Sequence, residues 1–226
     1  ENNSPGTFER AGLAWDDLRA INPRLIMLRM PAFGLSGPYR DYRAWGTHAE
    51  SMVGHTYIRG YQDAGPEYSS DVLSADAIAG LHGAVAVVMA LRHRARTGEG
   101  QLIELPLAES FISVLGEFVL DYTMNGRETP PQGNSHRNHV PHGVYPTRGE
   151  DQWIAIDVAT NEEFATLCDV LGGQELATDS RFSLAEGRRE HLSVPDDYLV
   201  KLTQNQDKEV LFHALQAVGI CSAPTH

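Results

Sequence analysis

The chain has 226 residues, of which 42% are hydrophobic and 21% charged, a composition that suits a folded globular protein and argues against disorder. With 18 basic and 30 acidic residues, the net charge of −12 argues against binding to nucleic acids or anionic membranes. Two isolated cysteines, no visible signal peptide and no apolar run long enough for a membrane span predict a cytoplasmic protein. The chain begins with Glu1 and stops just after an apolar run, so we expect an incomplete protein.

The first part of the chain predicts helices and a strand separated by loops rich in glycine and proline. The elements are a helical stretch interrupted at Gly12, a strand buried on both faces, a loop, a helix followed by coil, and a second loop: 7–20, 25–30, 34–43, 45–58 and 60–74. A loop directly after a buried strand is where open α/β sheets place their ligands.

The strongest helix signal covers residues 75–96. Apolar side chains occur on nearly every side of this segment, which predicts a buried helix, and Gly98 is well placed to end it. A short strand at 101–105 and a helix at 106–125, opened by Pro106, follow.

The pattern changes after a polar loop at 126–143, where we place the domain boundary, giving domains 1–130 and 131–226. The second domain predicts a β-hairpin, an amphipathic helix, a polar irregular segment and a last helix: 143–158, 162–172, 174–197 and 208–219.

Asp76 stands at the head of the predicted buried helix. An acidic residue at a helix start is favoured by the helix dipole, which is sufficient explanation for most such residues. A carboxylate beside apolar surface and free backbone N–H groups is also a candidate catalytic group. Asp71 lies five residues earlier, and the pattern alone does not separate the two.

The histidines of the loop at 126–143 do not predict a metal site. His136, His139 and His142 recur every three residues, but the segment contains proline and asparagine and lacks helical periodicity, so we expect a polar loop covering a cleft and no metal. His82 lies within the predicted helix and is expected to be a hydrogen-bonded core residue. No P-loop, GxGxxG, GxSxG or HExxH pattern occurs.

The order of several segments resembles that of the family III coenzyme A transferases, which include the related α-methylacyl-CoA racemases. The matching segments are ENNSPGTFERAGL, LRAINPRLIMLRMPAFGLSGPYRDYRAW, SADAIAGLHGAVAVVMALRHRARTGEGQLIELPLAES and GICSAP, among which RTGEGQ is the most specific. The resemblance implies an α/β fold, with an incomplete Rossmann-like large domain, a smaller α+β domain and an interlocked homodimer.

The resemblance also implies roles for individual residues. Asp76 matches the catalytic aspartate of the family. Asn2, Asn3, Thr7 and Arg10 fall in the segment that contacts the coenzyme A nucleotide, and Arg43 matches a further coenzyme-contacting position. The segment GNSHRNHVPHG lacks the glycine run of formyl-CoA transferase, which argues against formyl-CoA and oxalate chemistry.

The implied reaction moves coenzyme A from an acyl-CoA to a small carboxylic acid through an aspartyl-CoA thioester, without a further cofactor. One alternative is an acyl-CoA racemase or epimerase, but Trp45 stands where racemases carry a catalytic histidine, with His48 and His55 nearby but out of register. The other alternative is an inactive, truncated fragment that still binds coenzyme A.

Overall fold

A computed structural model describes residues 1–65, 68 and 72–225 of the chain. The chain forms two compact units, Glu1–Pro131 and Gln132–His226, each with its own core. Both units combine helices with a small sheet, and their boundary lies at the start of the loop in which the sequence places the change of domain.

Unit 1 contains seven helices and two strands among its described residues. In chain order they are α1 (Thr7–Arg10), α2 (Trp15–Ile21), β1 (Ile26–Arg29), α3 (Gly46–Met52), α4 (His55–Arg59), α5 (Ser74–Thr97), β2 (Gln101–Glu104), α6 (Leu107–Ile112) and α7 (Gly116–Asn125). The predicted break at Gly12 is confirmed, because this residue separates α1 from α2.

The RTGEGQ segment owes its two glycines to the geometry that joins α5 to β2. Gly98 adopts a left-handed conformation with φ of 83° and ends α5, as predicted. Gly100 lies so close to the backbone of Leu25 that a β-carbon would overlap its carbonyl oxygen. This close approach lets β2 pair in parallel with β1, with Ile26 opposite Gln101.

The prediction that the long helix is buried on all sides is wrong. Small residues of α5 are buried against α3 and α6, whereas its large apolar residues are exposed: Leu81, Val85, Val88, Met89. Unit 1 covers only one side of the helix, and composition alone cannot tell which side a neighbour occupies. The length and hydropathy of α5 would also suit a membrane span, a property that core helices of soluble proteins share.

The predicted single helix at 106–125 is divided into α6, a 3-10 turn at Ser113–Leu115, and α7. The Ser113 hydroxyl donates to the carbonyl of Ser110 at 2.8 Å, and such a bond to the preceding turn bends a helix. Gly116 then begins α7. Both sides of the break still contribute to one core, since Phe111 of α6 is buried in it and Phe118 of α7 packs against it.

Unit 2 contains three strands and five helices among its described residues: β3 (His142–Pro146), β4 (Trp153–Asp157), α8 (Asn161–Leu171), α9 (Gln174–Thr178), α10 (Ala185–Glu190), α11 (Ser193–Thr203), α12 (Lys208–Ala217) and β5 (Cys221–Pro224). The predicted hairpin is confirmed, since β3 and β4 pair antiparallel. The terminal strand β5, which the sequence did not reveal, pairs antiparallel with β4.

The segment at 174–197, predicted to be irregular, is mostly helical. It forms α9, a 3-10 turn at Ser180–Phe182, α10 and the start of α11. The pieces before α11 are too short to show a helical period, and each is anchored by one buried side chain: Leu176, Phe182 and Arg188.

A buried arginine joins these pieces. Arg188 of α10 is fully buried and donates to the carbonyls of Val140 and Phe182 and to the side chain of Asn161. Its guanidinium also lies 4.3 Å from the centre of the Phe164 ring. The acceptors come from the loop before β3, the 3-10 turn and α8, so one side chain connects three segments.

Candidate active site

Asp76 lies in the first turn of α5 and is exposed. The residue before the helix, Leu73, has a left-handed backbone with φ of 52° and gives no side-chain cap, so the first turn of α5 obtains acceptors from elsewhere in unit 1. Asp71, the competing carboxylate, lies outside the described residues, as does part of the predicted loop at 60–74.

Helix α3 touches the Asp76 carboxylate directly. Its first residue, Gly46, is buried, and a β-carbon at this position would overlap Oδ2 of Asp76. Any side chain larger than hydrogen at residue 46 would therefore displace the carboxylate or the helix. Gly46 carries no strained backbone angle, so its requirement is space and not conformational freedom.

The same helix also binds the backbone beside Asp76. Glu50 of α3 is 2% exposed, and its Oε1 accepts a hydrogen bond from the amide of Ala75 at 3.0 Å. Its other oxygen, Oε2, lies 2.9 Å from Nδ1 of His55. The His55 ring in turn packs edge-on against the buried Phe111 at 4.9 Å. Both oxygens of a buried carboxylate are thus engaged, as burial requires.

A second charged cluster holds the start of the chain beside β1. Arg29, the last residue of β1, is 4% exposed and donates to Glu1 and to Glu9, each at 2.6 Å. Burial opposes its charge, yet the two carboxylates raise the pKa of Arg29, while the bond from Arg29 lowers the pKa of Glu9. The amide of Met30 also donates to the Glu1 carbonyl at 2.8 Å.

This cluster orders the segment predicted to contact coenzyme A. Asn2 and Asn3 are exposed, and the backbone N–H of Asn3 donates to the Glu1 carboxylate at 2.8 Å. Arg10 is exposed and donates to the Thr7 hydroxyl at 3.2 Å. The segment therefore presents amides, a hydroxyl and a guanidinium to solvent from a framework fixed by Arg29.

Arg43, the fifth predicted coenzyme-binding residue, is exposed in the loop between β1 and α3. Three aromatic rings lie just before it: Phe33 is 6.2 Å from Tyr39, and Tyr39 is 5.2 Å from Tyr42. In the part of the chain that the structure describes, no hydrogen bond or ion pair joins Asp76 to the predicted coenzyme-binding residues. Among the predicted residues, Thr7 and Arg10 are joined by a hydrogen bond.

Two other histidines of unit 1, His48 and His82, have hydrogen-bond partners. His48 accepts a hydrogen bond from the Trp45 amide at 3.1 Å, which caps the start of α3, and Trp45 itself is 78% exposed. His82 is partly buried and bonded to the Ser110 hydroxyl at 2.7 Å, in agreement with the prediction for a satisfied core histidine.

In unit 2, the histidines at the start of β3 lie close to one another. The His136 ring is 4.2 Å from the His139 ring and 5.5 Å from that of His142. Nδ1 of His139 lies 2.8 Å from Asp157, and Nδ1 of His142 lies 2.7 Å from the carbonyl of Asn134. Among the described residues, no group of three ligand side chains is arranged to hold a metal ion.

The sequence analysis named Asp76 as the candidate carboxylate but did not name Gly46 and Glu50, which lie beside it and its preceding amide, or Arg29, which holds the first segment. Gly46 starts a helix and Glu50 lies within one, and because both patterns are common in sequences, neither indicates a functional role by itself. An arginine inside the apolar run RLIMLRM was the one available signal, because a charge in a buried strand requires a partner.

The fold and this site define a class: an α/β chain in which two parallel strands flank a long helix in sequence, an exposed carboxylate heads that helix, and RTGEGQ joins the helix to the second strand. The chain belongs to CoA-transferase family III, whose family model matches residues 1–226.

Comparison with known proteins agrees with this membership. The chain is 33% identical to succinyl-CoA--D-citramalate CoA-transferase of Chloroflexus aurantiacus over 97% of its own length, and 40% identical to the beta subunit of succinyl-CoA--L-malate CoA-transferase of the same organism over 85%. A crystal structure of a CAIB/BAIF family protein from Brucella suis covers the whole chain with a TM-score of 0.87 and 30% identity.

The chain spans about half the length of these relatives. It covers 54% of the citramalate enzyme, 48% of the malate enzyme subunit and 59% of the Brucella suis protein.

Proposed function

We propose that the protein transfers coenzyme A from an acyl-CoA to a small carboxylic acid, with Asp76 as the nucleophile. The observation that carries this proposal is the placement of Asp76, exposed at the head of α5 and fitted against Gly46, in a chain of CoA-transferase family III. The N-terminus of a helix favours an ionised carboxylate, which is the form that attacks.

The proposed reaction proceeds by covalent catalysis. A carboxylate oxygen of Asp76 attacks the thioester carbonyl, the carbon–sulfur bond breaks, and coenzyme A leaves as a thiolate. The thiolate then attacks the Asp76 carbonyl, so that the donor acid leaves and an aspartyl-CoA thioester forms. The acceptor carboxylate attacks this thioester, and the released thiolate takes up the acceptor acyl group, which regenerates Asp76.

The coenzyme serves as substrate, and no further cofactor is needed for this sequence of steps. We propose that Asn2, Asn3, Thr7 and Arg10 contact its nucleotide portion and that Arg43 binds a phosphate. Exposure of the two asparagines and the two arginines, and the ordering of the first segment by Arg29, support this assignment. Guanidinium groups suit phosphate because they are always charged and donate two parallel hydrogen bonds.

We propose small dicarboxylic acids as the acyl groups exchanged. The support comes from the relatives, two of which are named for succinyl-CoA with D-citramalate or L-malate, while a third, 30% identical, is the succinate--glutarate CoA-transferase of Agrobacterium fabrum. The test is a matrix of acyl-CoA donors against acceptor acids, read by mass spectrometry. Transfer only between monocarboxylic acids would contradict the dicarboxylate assignment.

Trapping experiments test the nucleophile. Incubating the protein that contains this chain with succinyl-CoA and hydroxylamine should convert Asp76 to a hydroxamate, which peptide mass spectrometry locates. Asp76→Asn should abolish both labelling and transfer. Transfer by the wild-type protein without any label on Asp76 would disprove the covalent mechanism.

Two further measurements, deuterium exchange and coenzyme A binding, separate the two rival functions. An acyl-CoA racemase would exchange the proton on the carbon next to the thioester with deuterium in the absence of any acceptor acid. An inactive fragment would bind coenzyme A without turnover. In the structure, His48 caps α3 and His55 is bound to Glu50, so neither nearby histidine supports the racemase.

We propose that the protein is a homodimer. The support is the row of exposed apolar side chains on α5, which we expect a partner subunit to cover, since monomeric proteins rarely expose large contiguous apolar patches. Light scattering after gel filtration should give twice the mass of the polypeptide, and a monomeric mass at micromolar concentration would contradict the proposal.

A further inference from the structure

Glu50 lies in an apolar environment where an ionised carboxylate needs strong partners. It belongs to α3, is 2% exposed, follows Ala49 in the chain and is bonded to Ala75, both of which belong to the apolar core of unit 1. A carboxylate in such a site is costly unless each of its oxygens has a donor. A buried charge that serves only packing would be replaced at little cost by an apolar side chain.

The two partners of Glu50 connect it to the head of α5. The Ala75 amide is one of the first N–H groups of α5, which have no acceptor within the helix, and it donates to Oε1 of Glu50 at 3.0 Å. His55, at 2.9 Å from Oε2, begins the next helix along the chain. Glu50, a residue of α3, therefore caps the N-terminus of α5. The amide that it caps, that of Ala75, immediately precedes Asp76.

Helix α3 thus contacts the first turn of α5 at two points, one of them the proposed nucleophile. Gly46 touches the Asp76 carboxylate, and Glu50 binds the preceding amide. The two contacts are one helical turn apart on α3, so together they set the first turn of α5, and the Asp76 carboxylate that it carries, against α3.

We propose that Glu50, supported by His55, is a positioning residue for Asp76. This inference rests on the proposed function, because it assumes that Asp76 attacks the thioester. Its role is to hold the first turn of α5 where the Asp76 carboxylate meets the thioester carbonyl at a reactive distance. An error of about 1 Å in such an alignment lowers a rate by about 100-fold.

Two variants at residue 50 separate positioning from packing. Glu50→Leu keeps the volume but removes the acceptor for the Ala75 amide, and should lower kcat about 100-fold while the KM for succinyl-CoA changes less than about threefold. Glu50→Gln retains a carbonyl oxygen for the same amide and should keep kcat within about tenfold of wild type. This rescue by the conservative variant is not expected if residue 50 only fills space.

His55→Phe provides a second route to the same result. A phenyl ring preserves the edge-on contact with Phe111 but leaves Oε2 of Glu50 without its partner. We expect kcat to fall about tenfold. The matched control is Ser110→Ala, which removes another buried side-chain bond of α5, the one to His82, lower on the helix. It should leave kcat and KM within about twofold of wild type.

Hydrogen exchange of the Ala75 amide reports the contact independently of turnover. Its exchange should accelerate at least tenfold in Glu50→Leu and stay unchanged in Ser110→Ala. If wild-type protein exchanges coenzyme A but Glu50→Leu keeps a kcat within threefold, the positioning role is wrong although the function stands. If wild-type protein catalyses no transfer and hydroxylamine does not label Asp76, the proposed function is wrong. This holds even if hydrogen exchange of the Ala75 amide still depends on Glu50.

Discussion

The carboxylate of Asp76 rests against the α-carbon of Gly46, in the space that a side chain at residue 46 would otherwise fill. Two residues that are far apart in the chain therefore constrain each other: a carboxylate at the head of one helix requires a glycine at the start of another. In the proposed reaction, the position of the attacking carboxylate oxygen of Asp76 therefore depends on its contact with Gly46.

Gly46→Ala should displace the Asp76 carboxylate and lower kcat about 100-fold, with the protein still folded by circular dichroism. The matched control is Gly116→Ala, because Gly116 also begins a helix of unit 1 but a β-carbon added there would have open space around it. The control should keep wild-type kcat. A Gly46→Ala protein with unchanged kcat would show that the contact does not set the position of the nucleophile.

Arg29→Met should raise the KM for succinyl-CoA about tenfold with little change in kcat. Removing the guanidinium releases Glu1 and Glu9, and the segment that carries Thr7 and Arg10 then loses its framework. Steady-state kinetics measures the split between KM and kcat. Arg127→Met, which breaks an exposed pair with Asp121, serves as the control and should change neither. An equal rise in KM in both variants would contradict this role of Arg29.

Cys168 should resist alkylation in the folded protein, whereas the exposed Cys221 should react. Burial raises the pKa of Cys168 to about 11, and only the thiolate is nucleophilic. Iodoacetamide at pH 8 followed by peptide mass spectrometry measures both sites in one sample. Equal labelling of the two cysteines under native conditions would show that the core of unit 2 opens readily.

The same shift predicts a pH dependence of stability. Above about pH 8.5 the unfolded chain releases the Cys168 proton, while the folded chain retains it up to about pH 11. The unfolded state therefore binds fewer protons in this window, and the free energy of unfolding should fall as the pH rises through it. Urea titrations of wild type and Cys168→Ala from pH 8 to 11 measure the difference, and parallel curves would contradict the prediction.

Arg188→Met should destabilise unit 2 by about 3 kcal/mol, because it leaves the buried carbonyls of Val140 and Phe182 and the half-buried amide oxygen of Asn161 without donors. The midpoint of urea unfolding measures the change. Arg189→Met, a substitution at the exposed neighbouring arginine of α10, is the matched control and should leave the midpoint unchanged. A loss below about 1 kcal/mol for Arg188→Met would mean that water reaches the three acceptors.

Local sequence determined a large part of this protein. The helix that carries Asp76, its end at Gly98, the strands on either side and the hairpin of unit 2 all follow from apolar periodicity and turn residues, which act between near neighbours. The order of the segments, with RTGEGQ after an acid-headed helix, was enough to indicate the family that the comparisons confirm.

Tertiary structure alone decided what surrounds Asp76. The Glu50–Ala75 bond joins residues 25 positions apart, and the contact of Gly46 with Asp76 likewise depends on how α3 meets α5. The same holds for α5 itself, whose apolar residues predicted burial on all sides although unit 1 covers only one. Periodicity reports which side chains avoid water, but the partner that covers each face depends on the whole fold.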